Sequence, residues 1–260
     1  MSSVEPVDRK SPFLVFLRLE LADALRSRWV AFTAVLYVGL AIAFVWLGLR
    51  ESTVLGFTGL SRVFLNVSNA VLVALPLVVL IGTHSAIVRA KVSGFGELMI
   101  SQPVKRSSWF WALLVSRLII CVGPLVLLVL SSFVASAFVE PEPGMNMVIL
   151  RSFGICAALI FSFVAMGLYV SARARSTERA IVWALIVLVV TAALHDVVLI
   201  TVLLRTRLPP EVVFFLSAIN PSEAARVGLL TSVDPELSVL GPVGFWLANS
   251  LGSTNALALA

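Results

Sequence analysis

The sequence predicts an all-α fold, a polytopic transmembrane helical bundle. Of its 260 residues 60% are hydrophobic and only 13% charged, too little polar surface to coat a soluble globule of that size. Five apolar runs each reach the roughly 20 residues needed to cross about 30 Å of hydrocarbon. Between them the Lys and Arg residues fall unevenly on the two sides.

The chain opens with a basic stretch at Arg9 and Lys10, but Arg18, Glu20, Asp23, Arg26 and Arg28 interrupt the next segment. A secretory signal would need an uninterrupted apolar core there, so no cleavable signal is expected. Ser11-Pro12 reads as an N-cap followed by proline at the first helical position, and Leu14, Leu17, Leu21 and Leu25 recur at helical spacing. This predicts an amphipathic, interfacial N-terminal helix on the membrane surface, within residues 1–28.

The five expected spans run approximately from Trp29 to Leu49, Val63 to Ile87, Leu113 to Phe138, Ile149 to Val170, and Ala180 to Leu204. In hydrocarbon each must satisfy its own backbone hydrogen bonds, which makes all of them helices. With the N-terminus inside, the inner segments hold Arg9, Lys10, Arg18, Arg26, Arg28, Arg89, Lys91, Lys105, Arg106, Arg117, Arg173, Arg175 and Arg179. The outer ones hold Arg50, Arg62, Arg151, Arg205, Arg207 and Arg226. Positively charged loops stay cytoplasmic, so a multi-pass protein of a bacterial or archaeal cytoplasmic (inner) membrane, N-terminus inside, is expected. Trp29, Trp109, Trp111, Tyr169 and Trp183 cluster at the same inner ends, where amphipathic rings favour the interface.

From Arg205 to Ser253 a long outer segment carries Pro209-Pro210, Asn220-Pro221, Asp234-Pro235 and Gly241-Pro242, with Leu237 to Leu251 expected to be re-entrant or interfacial. Thr254 to Ala260 is an apolar start with no room to cross, so a sixth span is expected to be truncated.

The net charge of +5 does not form a continuous stripe with interleaved aromatics, which argues against nucleic acid and leaves lipid headgroups as the anionic neighbours. Cys121 and Cys156 both lie in apolar runs and make neither a C-x-x-C site nor a disulfide framework. Of Lys10, Lys91 and Lys105 only Lys10 precedes a Ser or Thr, with no glycine upstream, so this chain has no P-loop for ATP. No H-E-x-x-H or G-x-S-x-G occurs, and neither a catalytic metal nor a cofactor is expected in the chain itself. Met145 and Met147 flank Asn146, but two thioethers alone are weak evidence for Cu(I).

The inner loop from Arg89 to Ser108 reads R-A-K-V-S-G-F-G-E-L-M-I-S-Q-P-V-K-R-S-S. Gly94 and Gly96 permit a sharp reversal, Glu97 suits the first turn of a short helix, and Pro103 would end it. Such a loop is either an ordinary solvated connection or a docking element for a cytoplasmic partner.

Gly96-Glu97-Leu98-Met99 followed by Ser101-Gln102-Pro103-Val104-Lys105-Arg106 resembles the coupling loop of ABC-2 type permeases. Glu20-Leu21-x-Asp23-x-Leu25-Arg26-x-Arg28-Trp29, Leu55-Gly56-Phe57-Thr58, Asp196-Val197-Val198-Leu199 and Asn220-Pro221 with Arg226 resemble, more narrowly, the Nos-type permeases used in nitrous oxide reductase maturation. The resemblance covers nearly the whole chain and departs from the family where Arg89-Ala90-Lys91 replaces an acidic, glycine-paired run. It implies a permease domain over residues 29–260, paired with a second permease copy. It also implies a separate ABC ATPase subunit, binding ATP and Mg, docked at Gly94, Gly96, Glu97, Leu98, Ser101, Gln102, Pro103 and Arg106. A periplasmic accessory protein would meet the outer segment around Asn220, Pro221 and Arg226.

Inside the spans, His195 and Asp196 stand where a charge costs about 2.5–3.5 kcal/mol on insertion scales, so they face the bundle interior or a cavity. They serve either as helix–helix hydrogen bonds or along a substrate path, as can Asn66 and Asn69. His84 is either a path residue or a snorkelling side chain. Two rivals stand beside the permease: a membrane-embedded enzyme using His84, His195 and Asp196, and a secondary transporter, for which no internal repeat is evident.

Overall fold

A computed structural model describes residues 11–27, 29–39, 42, 72–101, 105–136, 145–205 and 209–233. Every regular element among them is helical. In chain order they are α1 (Pro12–Leu25), α2 (Trp29–Gly39), α3 (Leu72–Val92), α4 (Phe95–Ser101), α5 (Arg106–Ser136), α6 (Met145–Arg173) and α7 (Thr177–Val189). A π-helical turn (Val190–Leu194) joins α7 to α8 (His195–Arg205), and α9 (Pro210–Ile219) and α10 (Pro221–Val233) come after it.

Four helical stretches are long and apolar enough to cross a membrane: Leu72–Val92, Arg106–Leu127, Met147–Arg173 and Thr177–Leu199. They match the second to fifth expected spans. α2 is the described part of the first, and Asn66, Asn69, Leu237 to Leu251 and the expected sixth span lie outside the described residues.

α6 is the centre of the bundle. Its Leu159, Ile160, Phe163, Val164 and Leu168 are buried against Leu75, Val79 and Leu80 of α3, Leu113 and Leu125 of α5, and Ala225 and Leu229 of α10. The enclosure is uneven: 61% of the α3 window is buried inside the bundle but 6% of the window across α7 and α8. Ile181, Val182, Leu185, Ile186 and Val189 accordingly present an apolar face outward, which hydrocarbon tolerates without cost.

The N-terminal helix forms at Pro12–Leu25, with proline in its first turn as expected, although the Ser11 side chain makes no capping bond. The predicted leucine set is divided: Leu14 and Leu25 are exposed, while Leu17 and Leu21 share the more buried side with Phe13, Phe16, Glu20 and Ala24. α1 packs along α5, and one carboxylate spans the contact. Glu20 accepts a hydrogen bond at Oε1 from Trp109 Nε1 (3.3 Å), and its Oε2 lies 3.5 Å from Arg117 Nη2.

One boundary differs from the expectation here. Arg117 lies roughly three turns into α5, within the expected third span. α5 starts at Arg106 rather than at Leu113, because Trp109 and Trp111 extend the helix through the interfacial zone and Glu20 offsets the buried guanidinium.

Burial holds the Glu20 carboxyl above its ordinary value of 4.5, the Arg117 guanidinium opposing but not overcoming that rise. A raised folded-state value means that the native contact binds a proton more readily than the unfolded chain. The α1–α5 contact is therefore strongest at low pH and loses stability as pH rises from 4.5 through the raised value. A thermal midpoint that climbs on acidification across this window, and no longer does so in Glu20→Gln, is the expected result. An unchanged dependence in the variant would overturn the assignment.

Candidate functional site

The loop after α3 starts from an interruption in that helix. At His84 and Ser85 the regular helix gives way to a turn and resumes at Ala86–Val92. His84 spends a ring nitrogen locally, Nδ1 donating to the Ile81 carbonyl at 2.7 Å, and its side chain is buried. A restarted helix exposes backbone N–H groups with no partner in their own turn. Here Ser171 of α6 supplies one, its hydroxyl oxygen accepting from Ile87 N (2.9 Å) and Val88 N (3.0 Å), all of it buried. Lys91 Nζ donates to the Ala172 carbonyl one residue on.

One turn before Ser171, Gly167 makes the crossing possible. A Cβ at this position would overlap Thr83 Oγ1 and lie 2.9 Å from Thr83 Cβ. Thr83 is fully buried, its hydroxyl donating to the Val79 carbonyl at 2.7 Å. Small residues let membrane helix backbones approach in this way. The C-terminal end of α3 is thus clamped to the C-terminal end of α6 by a close crossing, a shared hydroxyl and a lysine.

After Val92 the chain reverses at Gly94, whose φ of +75° only glycine adopts without strain. Glu97 N and Leu98 N then donate to the Gly94 carbonyl (3.1 and 3.2 Å), and α4 begins with Glu97 in its first turn as expected. The reversal rests on Gly94 alone; Gly96 sits inside α4, and a Cβ there would meet the Ala90 carbonyl at an ordinary 3.6 Å. Glu97, Leu98 and Ser101 are exposed on this short helix, as is Arg106 at the start of α5, while Gln102 and Pro103 lie outside the described residues. The loop is thus an exposed short helix that follows a segment tied to α6.

The other polar residues gather elsewhere. Asn220, buried, donates from Nδ2 to the Thr191 carbonyl (2.6 Å) in the π-helical turn, and its Oδ1 accepts from Ser222 N (3.1 Å) at the start of α10. Asn220-Pro221 is therefore an N-cap with proline at the first helical position, tying α10 to the fifth hydrophobic stretch. His195 Nε2 is buried without a hydrogen-bond partner among the described residues, and Asp196 comes next in the first turn of α8. Arg226 is exposed and lies 3.6 Å from Glu223 across one turn. His84 belongs to the α3 interruption and His195 to the π-turn end of α8, so the two histidines serve different helices.

The family profile described as "ABC-2 family transporter protein" matches residues 14–235, from α1 to the residues just after α10. The chain belongs to the ABC-2 transporter family. It is similar to the "Probable ABC transporter permease protein NosY" of Stutzerimonas stutzeri, 27% identical over 234 residues, covering 86% of this chain and 83% of that one. It is also similar to the protein of the same description from Pseudomonas aeruginosa, 27% identical over 266 aligned positions and 94% of each chain. This ABC-2 permease is thus a multi-pass membrane subunit of an ABC transporter, and membership in the family implies an ABC ATPase as its partner.

Ser171, Gly167, Thr83 and the Glu20–Arg117 pair carry no mark in the sequence. Gly167 stands in an apolar helix beside Met166 with no turn residue near it, and Ser171 acts on a backbone 84 positions away. No local pattern distinguishes either.

Proposed function

We propose that α4 and its flanks, residues 89–108, are the docking element for a separate ATPase subunit, which binds ATP and Mg. Nucleotide-driven movement of that subunit is transmitted to the helix bundle. Two copies of the permease pair, the N-terminus and this loop lie on the cytoplasmic side, and the outer segment from Arg205 to Ser253 faces a periplasmic partner. In keeping with the Nos-type resemblance, the transporter acts in export or transmembrane signalling that supports maturation of a copper enzyme such as nitrous oxide reductase.

The observation that carries this reading is the mount of the loop. A helix that only connected two spans would need no cross-chain tie, whereas this one continues from a segment held by Ser171 and Lys91 to the central helix α6. A push on Glu97 and Leu98 would therefore be delivered to the core of the bundle rather than dissipated in the loop.

The test is co-purification in mild detergent followed by an ATPase assay. The native chain is expected to retain a P-loop subunit with nucleotide-hydrolysing activity. Glu97→Lys combined with Leu98→Asp, both on exposed positions and harmless to the fold, is expected to lose it by at least roughly tenfold, the scale of reversing one charge at an interface. Full retention by that variant would move the docking site elsewhere, and recovery of the chain alone with no ATP dependence would refute the reading.

A further inference from the structure

Beneath α1 the helices enclose a cleft of about 640 Å³, a size typical of ligand pockets, which run from about 300 to 1,000 Å³. Its lining combines charged and apolar side chains. Along α3 it passes from Arg89 near the docking loop to Ile81 about two turns further in, and along α5 from Arg117 to Ile120 and Cys121. Charged and apolar side chains are thus interleaved along the cleft, with Leu19, Val92 and Phe95 beside the charged residues.

Both signs of charge stand in the cleft. α1 contributes Glu20 and Asp23, while α3 and α5 contribute Arg89 and Arg117. Glu20 and Arg117 are partly engaged with each other at 3.5 Å, and Arg117 Nε has no hydrogen-bond partner among the described residues. Asp23 and Arg89 are exposed at the cleft and enter no ion pair with a described residue. The roof of the cleft, α1, carries Leu14, Val15 and Leu25 on its outer side, each at least half exposed, while Leu19 lines the cleft. Such a face belongs in the headgroup and upper acyl zone, so the cleft opens at that depth.

We propose that this cleft holds a resident zwitterionic aminophospholipid of the phosphatidylethanolamine class. The guanidiniums of Arg89 and Arg117 fit the phosphodiester, since a planar fork matches phosphate oxygens. The carboxylates of Asp23 and Glu20 fit a primary ammonium, which offers three donors. Ile81 and Ile120 continue as a wall for the first part of an acyl chain. An anionic headgroup without an amine would leave Asp23, which enters no ion pair with a described residue, facing negative charge, and free phosphate would leave the apolar side chains of the cleft unused.

Native mass spectrometry of the full chain, purified into detergent and supplied with equal amounts of phosphatidylethanolamine and phosphatidylglycerol, tests the assignment. Preferential retention of phosphatidylethanolamine is expected. Arg89→Gln and Asp23→Asn, both exposed and so free to fold, should each lower it by about tenfold, the scale of removing one charge-assisted hydrogen bond. Equal retention of the two lipids, or retention untouched by both substitutions, would overturn the proposal. So would displacement of the bound lipid by millimolar inorganic phosphate, which would make the cleft a free-anion site. The readout needs no ATPase partner, so its failure is separable from failure of the docking reading.

Discussion

Gly167→Leu is expected to leave little folded protein, and Gly167→Ala is expected to lower the thermal midpoint in detergent by roughly 2–12 °C. The scale comes from forcing a methyl group into a packed crossing, which costs about 1–3 kcal/mol, and from a shift of about 2–4 °C per kcal/mol in a chain of this size. The added carbon has no escape: it meets Thr83 on a buried stretch of α3, and Leu80 Cδ2 lies 3.7 Å from it on the same side. Thr83→Ala in the Gly167→Ala background removes the overlapping hydroxyl but keeps the Cβ at 2.9 Å, so recovery should be partial. A Gly167→Ala protein that melts with the native one would show that α3 and α6 do not cross this closely.

Ser171→Ala is the second large effect, and of a different kind. No atom is forced anywhere; instead the Ile87 and Val88 amides lose their acceptor in a buried setting. Each unpaired N–H costs about 1–3 kcal/mol. The loss should be local, since Lys91 still reaches the Ala172 carbonyl and the Gly167 crossing remains. Faster hydrogen exchange at Ile87 and Val88, with α5 and α10 unchanged, is the expected pattern. Ser171→Thr, which keeps the hydroxyl, should exchange more slowly than Ser171→Ala. If the docking reading holds, Ser171→Ala should also keep its ATPase subunit while losing activity that depends on the bundle. Native exchange at both amides would mean that Ser171 is not their partner.

The architecture is legible in the sequence through properties that accumulate along the chain. Apolar runs from Leu113 onward and from Ile149 onward announce membrane helices because many residues vote together, and small errors at the ends do not change the outcome. The short helix after Gly94 is also legible, since the reversal, Glu97 in the first turn and the family resemblance concern neighbouring residues. Its mount is not. Ser171 and Gly167 act through space on residues more than 80 positions earlier, and neither leaves a periodic trace. Arg117 misleads for the same reason, because a guanidinium in an apolar run reads as a boundary until Glu20 is seen beside it. Asn220 is legible as part of the proline-containing outer segment, but the bond from its amide to the Thr191 carbonyl is not.

The π-helical turn at Val190–Leu194 divides the fifth hydrophobic stretch into two registers. One extra residue in a single turn rotates everything beyond it by about 100° relative to an unbroken helix. A gain or loss of one residue here would thus be absorbed as a swivel of α8, with Asn220 positioned to hold the widened carbonyl on Thr191. Relatives that lack the insertion would align with this chain on either side of the turn only through a one-residue gap. A helical wheel drawn continuously from Thr177 to Arg205 would then assign the wrong face to every residue after Leu194.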